Sequence, residues 1–323
     1  MSCLNPLAII GATAVGKSSM AINVAKIIGA EIISCDSVQM VYRDLTIGSN
    51  RVVNYENVPH HLVGFLDLDQ QFSAGDFYRS CTHLIKEIQS RNKVPLIVGG
   101  AMFYLKWLFE GPPPTPLPTP IKIRKETEKL IEEEDNWDST FARVAMIDPI
   151  YAHTIGFNNT KRLYRPLEIF KMTGKAISDY SLPATNSIRE LKVHCVQLQL
   201  SGNTLVDIIN RRCQKMIELG LLSEVERLIS KGYNPSNAEW FNSIGYKQCY
   251  NYFILEESKR NFDKLLVEFQ NATKKYAKQQ ERYFKKKIDA WLIKQVKYDP
   301  ENKNENISQE IVNIFQSNQM RKI

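Results

Sequence analysis

Residues 11–18, Gly11-Ala12-Thr13-Ala14-Val15-Gly16-Lys17-Ser18, carry the G-x-x-x-x-G-K-[ST] spacing of a phosphate cradle. The chemistry explains the spacing. Gly11 and Gly16 let the backbone wrap with its N–H groups inward, a following helix N-terminus adds positive potential, Lys17 meets the terminal phosphates, and the Ser18 hydroxyl can ligate Mg²⁺. Such a loop does not name its ligand, since ATP-binding kinases, other nucleotide-binding hydrolases and transferases all use it. Asp36 follows a second apolar run, residues 31–35, and is the only well-placed carboxylate at a strand end. It suits either holding Mg²⁺ through water or taking a proton from an incoming nucleophile, and a turn or helix cap would explain it equally. A third run, residues 94–98, ends in Gly99-Gly100 instead of the aspartate that an ordinary P-loop hydrolase carries.

These residues need a sheet edge to converge on. Residues 7–10 read as a strand, and Met20, Ala21, Val24, Ala25 and Ile28 give a helix pattern after Lys17. A helix is expected over residues 74–90, with Phe77, Cys81, Leu84, Ile85 and Ile88 on one face. Alternating strands and helices of this kind predict a parallel α/β sheet with right-handed crossovers. Residues 111–120 hold six prolines and cannot be helix interior or central strand, so they read as a stiff linker. Beyond it helices are expected at 123–134, 139–147 and 161–173, with a returning strand at 193–200. The fold class is thus α/β: a P-loop parallel sheet core (residues 1–115 and 191–298) interrupted by an inserted all-helical domain (116–190). A polar C-terminal tail, 299–323, is expected to add little to the core.

Composition fits this plan. The 323 residues are 43% apolar and 24% charged, which excludes a disordered chain or a small stapled peptide. Six scattered cysteines offer no CxxC pair and no histidine at zinc spacing, and His60 and His61 after Pro59 read as loop residues without ligand partners. No basic, apolar leader opens the chain and no apolar run reaches about 18 residues, so a soluble cytoplasmic protein with no membrane partner is expected. The net charge of +7 is local: Lys274, Lys275, Lys278, Arg282, Lys285, Lys286 and Lys287 face only Glu281 in residues 274–287. Phe269, Tyr276, Tyr283, Phe284, Ile288 and Trp291 recur at helical spacing among them, which predicts a docked helix with a basic outer face suited to a polyanion or to plain solvation.

Several segments together resemble the tRNA dimethylallyltransferase (tRNA isopentenyltransferase) family, of the bacterial type without a zinc finger. They are the cradle at 11–18, Asp36-Ser37-Val38-Gln39 with Tyr42 and Ile47-Gly48, Pro59-His60-His61-Leu62, Phe72-Ser73-Ala74 with Asp76-Phe77, and residues 95–100 with Tyr104. Lys161-Arg162-Leu163-Tyr164-Arg165, Leu167-Glu168, Thr173-Gly174-Lys175, Arg212 with Met216, Glu224-Val225, Ile244-Gly245-Tyr246 and Thr273 with Tyr276-Ala277-Lys278 follow in order. The resemblance implies dimethylallyl transfer to N6 of the adenosine beside the anticodon, with dimethylallyl diphosphate and the tRNA anticodon stem-loop as partners, Mg²⁺ as cofactor and a monomeric enzyme. It further implies that the cradle seats the diphosphate with Lys17, Ser18 and Arg212, and that Asp36 is the general base. Ser37, Val38 and Gln39 would face the flipped nucleotide, and Ala101, Lys161, Arg162, Leu163, Tyr164, Arg165, Tyr246 and Lys247 would touch tRNA. The family usually has Thr at Ala101, where its hydroxyl can touch the diphosphate, a contact this chain loses or supplies elsewhere; it usually has Ala at Pro166, where a kinked helix is expected, and Arg, Arg and Trp at Lys274, Gln279 and Tyr283, and the chain is also one residue longer between Asp36 and Tyr42. Apart from the resemblance, the residues leave open a small-molecule P-loop enzyme (an adenylate prenyltransferase or a metabolite kinase) and an RNA-binding ATPase.

Overall fold

The computed structural model describes residues 4–37, 42–49, 55–113, 115, 119–134, 136–180, 193–300 and 306–320, without the side chains of Lys161 and 318–320. Val38, Gln39 and much of the proline-rich linker lie outside the described residues. The strands are β1 (Leu7–Gly11), β2 (Ala30–Cys35), β3 (His60–His61), β4 (Val94–Gly99), β5 (His194–Gln199) and β6 (Lys294–Lys297). The helices are α1 (Lys17–Ile28), α2 (Ala74–Ser90), α3 (Met102–Glu110), α4 (Ile121–Glu134), α5 (Trp137–Ile147), α6 (Pro149–Ala152) and α7 (Lys161–Thr173). They continue as α8 (Gly202–Glu218), α9 (Leu221–Ser230), α10 (Tyr246–Phe253), α11 (Phe262–Lys285) and α12 (Ile307–Met320).

All six strands run parallel in the order β3-β2-β4-β1-β5-β6. Every residue of β1, β2 and β4 is buried, as strands covered by helices on both faces require. The register aligns Ile10 with Gly99 and Cys35 with Gly99, so β1, β2 and β4 end together and deliver Gly11, Asp36 and Gly100 to one edge. That carboxyl edge is where ligands gather in open α/β sheets. The chain divides into two compact units, Met1–Phe109 with Ser187–Ile323, and Glu110–Asn186.

Within the helical unit, Val144, Ala152, Ile155, Leu163 and Leu167 form a core of their own. Asp148, fully buried, caps α6 through Tyr151 N (2.8 Å) and accepts from Ser178 N and Oγ (both 2.8 Å). Helix α7 runs unbroken through the buried Pro166.

Three expectations are corrected. The tail is no mere appendage: α12 packs on α1 and buries Ile307, Ile311, Val312 and Phe315, a stripe at helical spacing that polar neighbours hide in composition. His60 and His61 form an edge strand beside β2, with His61 Nε2 2.8 Å from the Glu31 carboxylate. Helix α11 ends at Lys285, and Trp291, fully buried, packs from the turns beyond it onto Phe109 at 4.8 Å. The five described cysteines are free and buried, and among the described residues no helix is long and apolar enough to cross a membrane.

Candidate active site

The cradle is built by the turn from β1 into α1. Gly16, the residue before the helix, sits at φ 79°, and a Cβ there would lie 2.5 Å from the Tyr298 hydroxyl, so two independent constraints require glycine. Ala14 also takes a left-handed conformation, φ 68°, at a cost of about 1 kcal/mol. Helix α1 opens at Lys17, and its unpaired first-turn amides put positive potential at the same place. The Lys17 ammonium donates to the Ala12 carbonyl at 2.6 Å. Burial pushes its pKa down to about 8; the charge of Asp36 opposes that shift and the charge of Arg212 adds to it.

Arg212 reaches the cradle from α8. Its Nη1 donates to Thr13 Oγ1 at 3.1 Å, and burial lowers its pKa, with Asp36 again opposing. On spacing alone its place beside Arg211 suits a surface ion pair; the fold instead turns it inward while Arg211 stays exposed.

Two cavities meet at Asp36. One of about 470 Å³ is lined by Thr13, Ala14, Gly16, Lys17, Ser18, Asp36 and Arg212 among others. The second, of about 300 Å³, shares Thr13, Asp36 and Arg212 and adds Ser37, Ala101, Ser243 and Tyr276. A third of about 440 Å³ continues from Ser37, Ala101 and Tyr276 to Phe103, Lys106, Tyr283 and Lys287. Ser37 and Ala101 thus border both cavities outside the cradle, and the Ala101 N–H donates to Cys35 O at 3.3 Å.

Some of the expected tRNA residues are elsewhere. Tyr246 is fully buried, its hydroxyl donates to Glu224 Oε1 at 2.6 Å and its ring packs on Trp240; Leu163 is fully buried in the helical core. Neither has surface to offer a nucleic acid. Arg165 is half-buried and donates within its own unit to Thr119 Oγ1 (2.6 Å), Glu168 (3.3 Å) and Thr115 Oγ1 (3.3 Å). Arg162 is exposed and donates to Thr154 O at 3.0 Å, Tyr164 is half-buried, and Lys247 is exposed. On α11 and just beyond, Lys275, Lys278, Lys285 and Lys286 are exposed, whereas Lys274 is half-buried.

Two residues with a direct hold on the cradle carry no signal in its motif. Gln280, 2% exposed, accepts from the Thr13 N–H at 2.8 Å and donates to the Gly100 carbonyl at 2.8 Å, joining cradle and glycine pair through α11. A polar residue within the buried stripe Thr273, Ala277, Gln280, Phe284 is the clue that could have found it. Tyr298 donates from its hydroxyl to Val15 O at 2.5 Å, and nothing in its polar surroundings announces it.

Comparison with known proteins decides the family. The sequence model described as IPP transferase matches residues 40–287. The tRNA dimethylallyltransferase of Protochlamydia amoebophila is 35% identical over 298 residues, 91% of this chain and 85% of that protein. The chain belongs to the IPP transferase family. With that membership it is an enzyme, a prenyltransferase. Another family protein, the tRNA dimethylallyltransferase of Carboxydothermus hydrogenoformans, is 35% identical over 86% of this chain and 88% of its own length. Among solved structures, a eukaryotic dimethylallyltransferase acting on tRNA superposes with a TM-score of 0.80 at 25% identity, covering 98% of this chain and 80% of that one. The tRNA isopentenylpyrophosphate transferase of Bacillus halodurans gives 0.68 at 27% identity, covering 98% and 99%.

Proposed function

We propose that this prenyltransferase moves a dimethylallyl group from dimethylallyl diphosphate to N6 of the adenosine beside the anticodon of tRNA. The observation that carries the reading is the meeting of two cavities at Asp36 and Arg212, one floored by the phosphate cradle and the other lined by Ser37, Ala101 and Tyr276. A diphosphate in the first and an adenine in the second would bring the allylic carbon and the amine together beside the carboxylate.

In this reading the cradle amides, Lys17 and Arg212 hold the diphosphate before reaction. As the bond from the allylic carbon to oxygen breaks, the same groups stabilise the charge that accumulates on the leaving diphosphate. The adenine amine forms the new C–N bond and its proton passes to the Asp36 carboxylate, which compensates for a weak nucleophile. Bringing the base out of its stack costs a few kcal/mol, least in a loop. Ser18 offers a hydroxyl at the same cavity, a hard oxygen donor that fits Mg²⁺ once the diphosphate adds its own oxygens. Bound there, the ion would neutralise diphosphate charge. The exposed lysines of α11 supply phosphate contacts that position RNA without reading its sequence.

Mass measurement of an unmodified anticodon stem-loop incubated with the protein, Mg²⁺ and dimethylallyl diphosphate tests the proposal. Gain of one C5H8 unit on the adenosine supports it. ATP hydrolysis with no mass gain would replace it with an RNA-binding ATPase, and prenylation of free adenylate alone would make the substrate a small molecule.

A further inference from the structure

Glu224 on α9 is a buried carboxylate, 5% exposed, outside the cradle and outside every cavity lining described above. Its Oε2 accepts from Thr46 N (3.1 Å), Thr46 Oγ1 (2.9 Å) and Ile47 N (3.0 Å); its Oε1 accepts from Gly48 N (3.1 Å) and the Tyr246 hydroxyl (2.6 Å). Burial pushes its pKa up, but the Ile47 amide, the Tyr246 hydroxyl, the Gly48 amide and Thr46 outweigh that and hold it below the ordinary carboxylate range. A charge held by five neutral, directional donors fixes the geometry of each of them, because any donor that turns away leaves the anion less solvated in a dry interior.

Both segments tied in this way border the 300 Å³ cavity: Gly48 and Ser49 on one side, Asn242, Ser243 and Ile244, just ahead of Tyr246, on the other. Their approach is close. A Cβ on Gly48 would lie 2.3 Å from the Tyr246 ring, so the ring rests directly on the loop backbone. Tyr246 is braced by Trp240 and Phe241, with ring centroids at 5.9 and 6.5 Å, and Trp240 is fixed by its Nε1 donating to Leu68 O at 3.0 Å.

We infer that Glu224 and Tyr246 are positioning residues: their shared hydrogen bond locks residues 46–48 to the turn at 242–244, and so sets the shape of the cavity on the far side of Asp36 from the phosphate cradle. This rests on the reading above, in which that cavity receives the adenine. The cradle makes none of these contacts, so the two substrates should feel the tie differently.

The test uses the full-length enzyme with Tyr246→Phe, which deletes one donor and keeps the ring, and with Glu224→Gln, which leaves the Gly48 amide facing an NH₂ group. For Tyr246→Phe, kcat/KM for the stem-loop should fall about tenfold, the scale of one hydrogen bond to a charged group, with KM for dimethylallyl diphosphate unchanged. Hydrogen exchange at the amides of Thr46, Ile47 and Gly48 should accelerate in both variants while β1 stays protected. The inference is overturned if Tyr246→Phe leaves the stem-loop parameters at wild-type values, or if both substrates weaken in parallel as partial unfolding would cause. Should Glu224→Gln fail to fold, Tyr246→Phe carries the decision alone. A wild-type enzyme that does not prenylate the stem-loop refutes the adenine reading instead, and amide exchange still reports whether the tie exists.

Discussion

Replacing Gln280 by leucine removes a side chain that touches no substrate in the reading above, yet it should damage the enzyme in a calculable way. The amide of Gln280 holds two backbone groups, the Thr13 N–H and the Gly100 carbonyl, each at 2.8 Å. The Gly100 bond is buried, so its carbonyl is left without a partner; an unsatisfied buried group costs about 1 to 3 kcal/mol. The Thr13 amide lies beside the cradle cavity and can recover water, so its loss is about 1 kcal/mol. The sum is roughly 2 to 4 kcal/mol, and a chain of this size should melt roughly 3 to 6 °C lower. Bound diphosphate can accept from the freed Thr13 amide, so saturating inorganic diphosphate should recover part of the lost melting temperature and stabilise the variant by more than it stabilises wild type. Differential scanning calorimetry with and without diphosphate measures both quantities. A Gln280→Leu protein melting within about 1 °C of wild type would show that the bridge is not formed in solution, and an equal ligand shift in both proteins would show that the Thr13 amide is not part of the diphosphate seat.

Four further outcomes are expected. Asp36→Asn should keep dimethylallyl diphosphate binding but slow transfer by about 10²-fold or more in single-turnover assays, whereas Lys17→Ala should weaken both together. Lys17, with a pKa of about 8, is protonated in neutral solution and loses its charge as pH rises, so diphosphate affinity measured by calorimetry should fall through that pH, with log Kd approaching one unit per pH unit above it; Lys17→Ala should abolish the step. Ala101→Thr should speed turnover by up to about tenfold if its hydroxyl reaches the diphosphate, and an unchanged rate would mean that another donor already serves. Replacing the exposed Lys275, Lys278 and Lys285 by Gln should lower the log–log salt slope of tRNA binding by roughly two units and leave dimethylallyl diphosphate affinity alone; an unaltered slope would make that face a solvated one.

Much of the core was legible because its signals are local. The apolar runs of β1, β2 and β4 are short, continuous and closed by glycine or aspartate, and α2 carries its buried Phe77, Cys81, Ile85 and Ile88 at helical spacing. The edge strands were not legible: β3 is two histidines and β6 is Lys-Gln-Val-Lys with only Val296 buried, so neither shows the apolar pattern that marks a central strand. Asp36, Lys17 and Arg212 were found as types, but only the fold shows that one carboxylate borders two cavities. Leu163 and Tyr246 went the other way: a motif match carries whole segments, and a segment on a helix must bury some of its residues to hold the rest in place.

That last point makes α11 intelligible as one device with two faces. With about 100° of rotation per residue, Thr273, Ala277, Gln280 and Phe284 fall on one side and Lys275, Lys278 and Lys285 on the rest. The inner face cannot be exchanged for a plain leucine stripe, because Gln280 supplies the bridge from Thr13 to Gly100 and Tyr276 borders the second cavity beside Asp36. The outer face is freer, since exposed lysines contribute little to folding and act through long-range charge. Substitutions along this helix should therefore separate by face: inner changes altering thermal stability and the response to diphosphate, outer changes altering only the salt dependence of RNA binding. The half-buried Lys274, at the boundary, is the position where one substitution should move both.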